Sequence, residues 1–295
     1  MTAAPLARAP VGLLAAGGRF PVLFAEKARS VGLPVVCVAL KGVADPALAE
    51  LCPRFHWLRR LALGKAIRCF RAGGVSRFAV AGKFHKATLL RPWMWLRLLP
   101  DRRFLRLWWS RRRADNRDDS LMLALLDEFR TEGLDCVSAL DLCPELLVRD
   151  GVLSRRPPTE KELRDARFGW GLARKMGELD VGQSVMVRDR AVLAVEAIEG
   201  TDACIRRAGE LCGRGGFVVV KVAKPNQDMR FDVPTVGPLT IETMRAAGAT
   251  ALAIEAGKTI LIDEAETLAL ADRHRIAVFA LSDAAVTASD GPAAA

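Results

Sequence analysis

The chain has 295 residues, 51% of them hydrophobic, with 44 Lys+Arg against 34 Asp+Glu and a net charge of +10. That length suits one large or two ordinary domains, the apolar content excludes a disordered chain, and no uninterrupted apolar stretch approaches the ~20 residues that span a bilayer. The charge is local: residues 91–113 hold eight Arg and one Asp, so the other 272 residues carry only +3.

In chain order, the first half alternates short apolar runs with amphipathic stretches, the βαβ signature. Val11–Ala15 reads as a strand, Arg19–Val31 as a helix and Pro34–Leu40 as a second strand. Leu63–Ala72 is a helix stopped by Gly73-Gly74, and Arg77–Ala81 is a third strand. Apolar residues at 121, 122, 125, 126 and 129 predict a helix over Arg117–Thr131, and Leu134–Val137 is a fourth strand. The natural assembly is a Rossmann-like, mostly parallel sheet over residues 1–150. Gly151 and the Pro157-Pro158 pair mark residues 149–159 as a linker, 151–159 at its narrowest. A distinct α/β C-terminal domain, residues 160–282, follows. Its expected elements are a helix over Glu160–Leu179, strands at Ser184–Val187 and Ala191–Ala197, a helix over Asp202–Leu211 and a strand at Phe217–Val222. Then come a polar loop at 223–238, a helix over Ile241–Ala247, strands at Ala251–Glu255 and Thr259–Ile262, a helix over Glu264–His274 and a strand at Ile276–Ala280. The small, polar residues 283–295 read as a flexible tail.

Seven scattered cysteines with no CxxC, and three histidines, do not describe a disulfide framework or a structural zinc site, and point to a reducing cytoplasm. The apolar stretch Val11–Ala16 is too short for a signal peptide. No Gly-x-Ser-x-Gly elbow, His-Glu-x-x-His or calcium-loop pattern occurs.

Four segments can carry chemistry. Gly17 and Gly18 follow the first strand and open a helix, where backbone N–H groups can approach a phosphate or simply make a tight turn. Lys83 and Lys86 follow the third strand, at the edge where ligands enter α/β folds. Glu196-Ala-Ile-Glu199-Gly200-Thr201-Asp202 ends a strand and begins a helix: Thr201 or Asp202 suits a cap, and the carboxylates of Glu196, Glu199 and Asp202 with Thr201 also suit Mg²⁺ and a phosphate. The richest segment is the loop from Lys221 to Gly237. Lys224 and Arg230 can neutralise phosphate oxygens, Gln227 adds an amide, and Asp228 and Asp232 can hold a metal or orient water. Separately, the basic stretch 91–113 interleaves its arginines with Trp93, Trp95, Trp108 and Trp109. On a helical wheel for 102–109, Phe104, Leu105, Leu107, Trp108 and Trp109 share one arc and Arg102, Arg103 and Arg106 the other. With Arg111 and Arg112, this suits a membrane-surface segment, a nucleic-acid platform or a plain amphipathic hairpin.

Several of these pieces together resemble a known family, the UDP-2,3-diacylglucosamine pyrophosphatases of lipid A biosynthesis in their non-metallophosphoesterase form. The matching segments are Gly12–Pro21, Asp118–Met122, Leu179–Ser184, Val192–Asp202 and Lys221–Gly237, in the family's order. The resemblance implies two domains with substrate between them, and Mg²⁺-dependent hydrolysis of UDP-2,3-diacylglucosamine to UMP and 2,3-diacylglucosamine 1-phosphate. It implies that Asp232 is the essential carboxylate, placed in the metal and water site. The expected partners are that lipid-linked nucleotide and the inner-membrane surface, reached peripherally from the cytoplasm through 91–113. No nucleic acid is expected, and a homo-oligomer is compatible. The competing readings are a non-catalytic nucleotide- or RNA-binding module and a nicotinamide-dependent oxidoreductase, the latter without its dinucleotide fingerprint.

Overall fold

The computed structural model describes residues 9–59, 61–83, 100–111, 118–225 and 227–287, without the side chains of 108, 110, 111, 118–120 and 287. The chain forms two units, Met1–Cys143 and Pro144–Ala295.

The first unit is a five-stranded, all-parallel sheet in the order β3-β2-β1-β4-β5. The strands are β1 (Val11–Ala15), β2 (Val35–Leu40), β3 (Arg54–Leu58), β4 (Arg77–Ala81) and β5 (Asp135–Val137). β2 reads Val-Val-Cys-Val-Ala-Leu and is buried almost throughout, as a strand covered on both faces must be. Its helices are α1 (Phe20–Ser30), α2 (Leu48–Leu51), α3 (Leu63–Ala72), α4 (Arg102–Arg111) and α5 (Asp118–Thr131). The edge strand β3 escaped the sequence reading because Arg54-Phe-His-Trp-Leu58 mixes polar residues into a run with only its last residue fully buried. In α4 the helical wheel needs correcting. Phe104 is buried, but Leu105 and Trp109 are exposed, while Arg103 turns inward to Glu128 of α5 and Glu132.

The second unit carries a six-stranded mixed sheet, β6-β13-β11-β9-β7-β8. Its strands are β6 (Gly151–Val152), β7 (Ser184–Arg188), β8 (Ala191–Val195), β9 (Phe217–Lys221), β11 (Ala249–Glu255) and β13 (Ala277–Leu281). β9, β11 and β13 are parallel; β6, β7 and β8 complete the sheet antiparallel. A separate two-stranded ladder joins β10 (Thr235–Val236) to β12 (Ile260–Leu261). Helix α6 (Glu160–Glu178) covers one face through Ala166, Trp170 and Ala173, and α7 (Thr201–Cys212), α8 (Pro238–Ala247) and α9 (Glu264–Arg273) cover the other. Gly169 lets α6 close onto the sheet, since a Cβ there would lie 2.8 Å from Val220 and 2.9 Å from Val187. The β7–β8 hairpin turns at Asp189 and Arg190, both at positive φ, and Asp165 of α6 accepts both of their N–H groups.

Two boundaries differ from expectation. Residues 149–159 are not a linker: Gly151 and Val152 pair with β13, and Ser154 Oγ accepts from Val278 N–H at 2.8 Å. Arg156 clamps Glu162 at 2.9 and 3.0 Å. The tail is structured at its start, where α10 (Asp283–Thr287) buries Val286 and ties Asp283 to Arg174.

Candidate active site

In the second unit the polar groups collect at the carboxyl edge of the parallel strands, where open α/β sheets bind ligands. The antiparallel strands bring their own ends there: Ser184, which opens β7, is the register partner of Lys221, which closes β9. Glu196, just past β8, donates its N–H to Ser184 O at 2.9 Å. Helix α7 starts at the same edge from Gly200, which sits at φ +82° and offers no side-chain cap to the first turn. A chain of hydrogen bonds crosses this edge. Lys221 Nζ donates to Thr201 Oγ1 at 2.8 Å, and Thr201 Oγ1 donates to Glu196 Oε1 at 2.9 Å. Lys221 is only 4% exposed and makes no ion pair with any described residue. Three buried oxygens beside this chain have no hydrogen-bond partner among the described residues: Gln183 Oε1, Ser184 Oγ and Glu196 Oε2. Buried polar atoms are nearly always satisfied, so such a concentration marks a place that takes water or ligand.

The loop after β9 leaves this edge. Lys224 Nζ pairs with Asp180, and Lys224 N–H donates to Gln227 Oε1 at 2.8 Å, leaving Gln227 Nε2 buried and without a partner among the described residues. Arg230 folds back on Asp228, Nη2 to Oδ2 at 2.6 Å, and this pairing holds the Asp228 carboxyl below the ordinary carboxylate range. Asp232 ends that turn through its N–H to Asp228 O at 3.0 Å. Its half-buried carboxylate makes no hydrogen bond or ion pair with a described residue. In the core behind, burial pushes the Cys204 thiol up to about 12, so it stays protonated and inert.

The expected site residues therefore separate. Thr201, Lys224, Gln227, Arg230, Asp228, Asp232, Glu199 and Asp202 lie in the second unit. Gly17, Gly18 and Lys83 lie in the first, at the β1–β4 switch in strand order. There Gly17 and Lys83 exchange backbone hydrogen bonds at 3.1 and 2.7 Å, so Gly17 serves the stitching of two loops while Gly18, at φ +93°, faces open space. Lys86, Trp93, Trp95 and Arg112 lie outside the described residues, as do the side chains of Trp108 and Arg111. The four carboxylates expected to gather around a metal do not: among the described residues no group of three or more such side chains could hold one. Asp228 is taken by Arg230 and Glu199 by Arg207 at 2.8 Å. Asp232 and Asp202 keep carboxylates without an ion pair to a described residue, which fits the way Mg²⁺ is held by one or two carboxylates plus substrate phosphates rather than by a protein cage. Sequence reasoning singles out Glu196 among three carboxylates at this helix start, but not Lys221, Ser184 or Gln183. Their signal was a polar residue closing or opening an otherwise apolar strand.

Parallel-sheet carboxyl edges furnished with glycine turns and cations define a two-unit α/β protein whose edges suit phosphate-bearing ligands. The comparisons narrow this. Residues 10–146 match the family model of the LpxI N-terminal domain and residues 149–279 that of the LpxI C-terminal domain. The UDP-2,3-diacylglucosamine pyrophosphatase LpxI of Caulobacter vibrioides is 32% identical over 270 residues, covering 89% of this chain and 94% of that protein. The chain belongs to the LpxI family.

Proposed function

We propose that the protein hydrolyses the pyrophosphate of UDP-2,3-diacylglucosamine to UMP and 2,3-diacylglucosamine 1-phosphate, a step of lipid A biosynthesis, with Mg²⁺. The observation that carries this is the match of both units, in order and nearly end to end, to a family whose relative is named for that pyrophosphatase. The second unit's geometry supports it. Hydrolysis adds water across a phosphorus–oxygen bond and needs charge neutralised as that bond breaks. Lys221, buried and without an ion pair to a described residue, supplies fixed positive charge, and the α7 N-terminus adds its dipole. Asp232 is the carboxylate left available to orient water. Mg²⁺ held by Asp232 or Asp202 would spread the negative charge of the pyrophosphate oxygens.

The test is UMP release from UDP-2,3-diacylglucosamine with and without Mg²⁺. Asp232→Ala is expected to lower kcat about 10²–10⁴-fold with binding retained. Near-normal turnover by that variant would remove Asp232 from the mechanism, and no UMP from the unmodified protein under any metal or detergent would leave a nucleotide-binding module instead. Among the described residues no helix is long and apolar enough to cross a membrane. We propose that the protein meets its lipid substrate peripherally, at the cytoplasmic face of the inner membrane, through the outer side of α4, where Trp109 is 70% exposed beside Leu105, Arg102 and Arg106.

A further inference from the structure

The loop that carries Asp232 begins at Val222, and one face of α6 governs where it starts. Arg174 and Gly177 lie three residues apart near the end of α6, on one side of it, and Asp180 follows two residues past its last residue, at positive φ. Each meets the loop in turn. Arg174 Nη1 donates to the carbonyl of Ala223 at 3.0 Å. Gly177 leaves room for the next two residues: a Cβ there would lie 3.1 Å from Pro225 Cδ and 3.2 Å from Lys224 Cα. Asp180 accepts from Lys224 Nζ. Glu255, the last residue of β11, closes the arrangement. Its Oε2 accepts the N–H of Ala223 at 2.8 Å and its Oε1 accepts Arg174 Nη2 at 2.6 Å. Both backbone polar groups of Ala223 are thus held by side chains that hold each other. Asp283 of α10 braces the guanidinium from outside, accepting Arg174 Nε at 3.1 Å and Trp170 Nε1 at 2.8 Å. With Arg174 and Glu255 largely buried and paired to each other, the centre of this ionic network is rigid, whatever its net contribution to stability.

We infer that Arg174, Gly177, Asp180 and Glu255 are positioning residues for the reacting loop: a platform that sets the place of Asp232 without touching substrate. The inference rests on the reading of that loop as the reacting site. Since a shift near 1 Å at a reacting group costs on the order of 10²-fold in rate, a platform of this kind acts on kcat rather than on substrate binding.

Gly177→Ala is the sharpest test, because the nearest neighbours of its added methyl, Pro225 and Lys224, both belong to the loop. Gly171→Ala, on the same helix with nothing within 4 Å of its Cβ, is the control. Gly177→Ala and Glu255→Gln are expected to lower kcat about 10- to 100-fold with KM within about twofold. Amide hydrogen exchange should rise between Lys224 and Val236 while cooperative unfolding is retained, and Gly171→Ala should change none of these. If Glu255→Gln does not fold, Gly177→Ala decides. Wild-type kcat and loop exchange in folded Gly177→Ala would overturn the platform, as would a rise in KM at unchanged kcat. Should the unmodified protein release no UMP, the reaction assignment fails by itself, and the exchange data alone decide the platform: protected loop amides in Gly177→Ala overturn it, exposed ones support it.

Discussion

A side chain at position 12 would put its Cβ 2.7 Å from Phe78 Cβ and 2.9 Å from the Phe70 ring, inside the first unit's core. Gly12 is therefore a packing glycine, even though it begins the segment that resembles a phosphate-binding turn. Gly18, six residues on, has the opposite surroundings: open space, and a φ of +93° that favours glycine. The two are expected to respond differently. Gly12→Ala should lower stability by about 1–3 kcal/mol through overpacking, as read by chemical denaturation, with kcat of the folded fraction unchanged. An unaltered denaturation midpoint would show that Phe70 and Phe78 can move aside without cost.

At the level of elements, the helix α6 begins with a capping box whose acid does more than cap. Glu162 accepts Thr159 N–H at 2.8 Å and both Nη groups of Arg156, which also reaches the carbonyls of Thr250 and Arg275. Burial pushes the Glu162 carboxyl up, but the hydrogen bonds from Arg156 and Thr159 outweigh it and hold the group below its ordinary value. A depressed folded-state value means that this stabilisation is complete above the group's ordinary, unfolded value and is lost as pH falls through the lower, folded value. Glu162→Gln is therefore expected to destabilise the protein at pH 7 by about 2–4 kcal/mol, and the gap to the wild type should narrow below about pH 4 in denaturation measured across pH. A gap that stays constant with pH would show that the charge on Glu162 contributes nothing.

The same elements show how far sequence alone reaches. Strands such as β2 and β9 were legible because a β-branched run admits little else, and the helix expected over Glu160–Leu179 ends one residue earlier, at Glu178. Residues 149–159 misled because Pro, Gly and charges are the composition of a linker and equally of an edge strand with a cap. What separates the two is β13, some 125 residues downstream, which no local pattern contains. The candidate residues were legible as polar segments and less so in their pairings. Lys224, Arg230, Asp228 and Glu199 were all picked as ligand contacts for their charge, yet each carries an ion pair inside the protein. Lys221 stood within the expected strand Phe217–Val222 and at the head of the loop, and proved to be a buried cation of that edge, because its partner Thr201 arrives from twenty residues away.

Over the whole molecule, the +10 charge is mostly the eight arginines of 91–113. Of that stretch, α4 shows how the charge is shared: Arg103 is consumed by Glu128 and Glu132, whereas Arg102 and Arg106 stay exposed alongside Trp109 and Leu105. An exposed indole beside exposed guanidinium groups is the combination that inserts at the headgroup level of an anionic bilayer, the ring supplying apolar burial and the charges supplying attraction. Each basic residue near such a surface is worth about 1 kcal/mol, and the attraction fades over a Debye length of roughly 8 Å at physiological salt. Trp109→Ala with Arg106→Ala is therefore expected to cut co-sedimentation with phosphatidylglycerol-containing vesicles by about tenfold. Raising the salt should weaken binding of the unmodified protein in the same direction, and turnover of a detergent-dispersed substrate should be unaffected because α4 is not part of the second unit's site. Unchanged co-sedimentation would return α4 to the role of a helix that covers the first unit's sheet, with its tryptophan exposed for no membrane purpose.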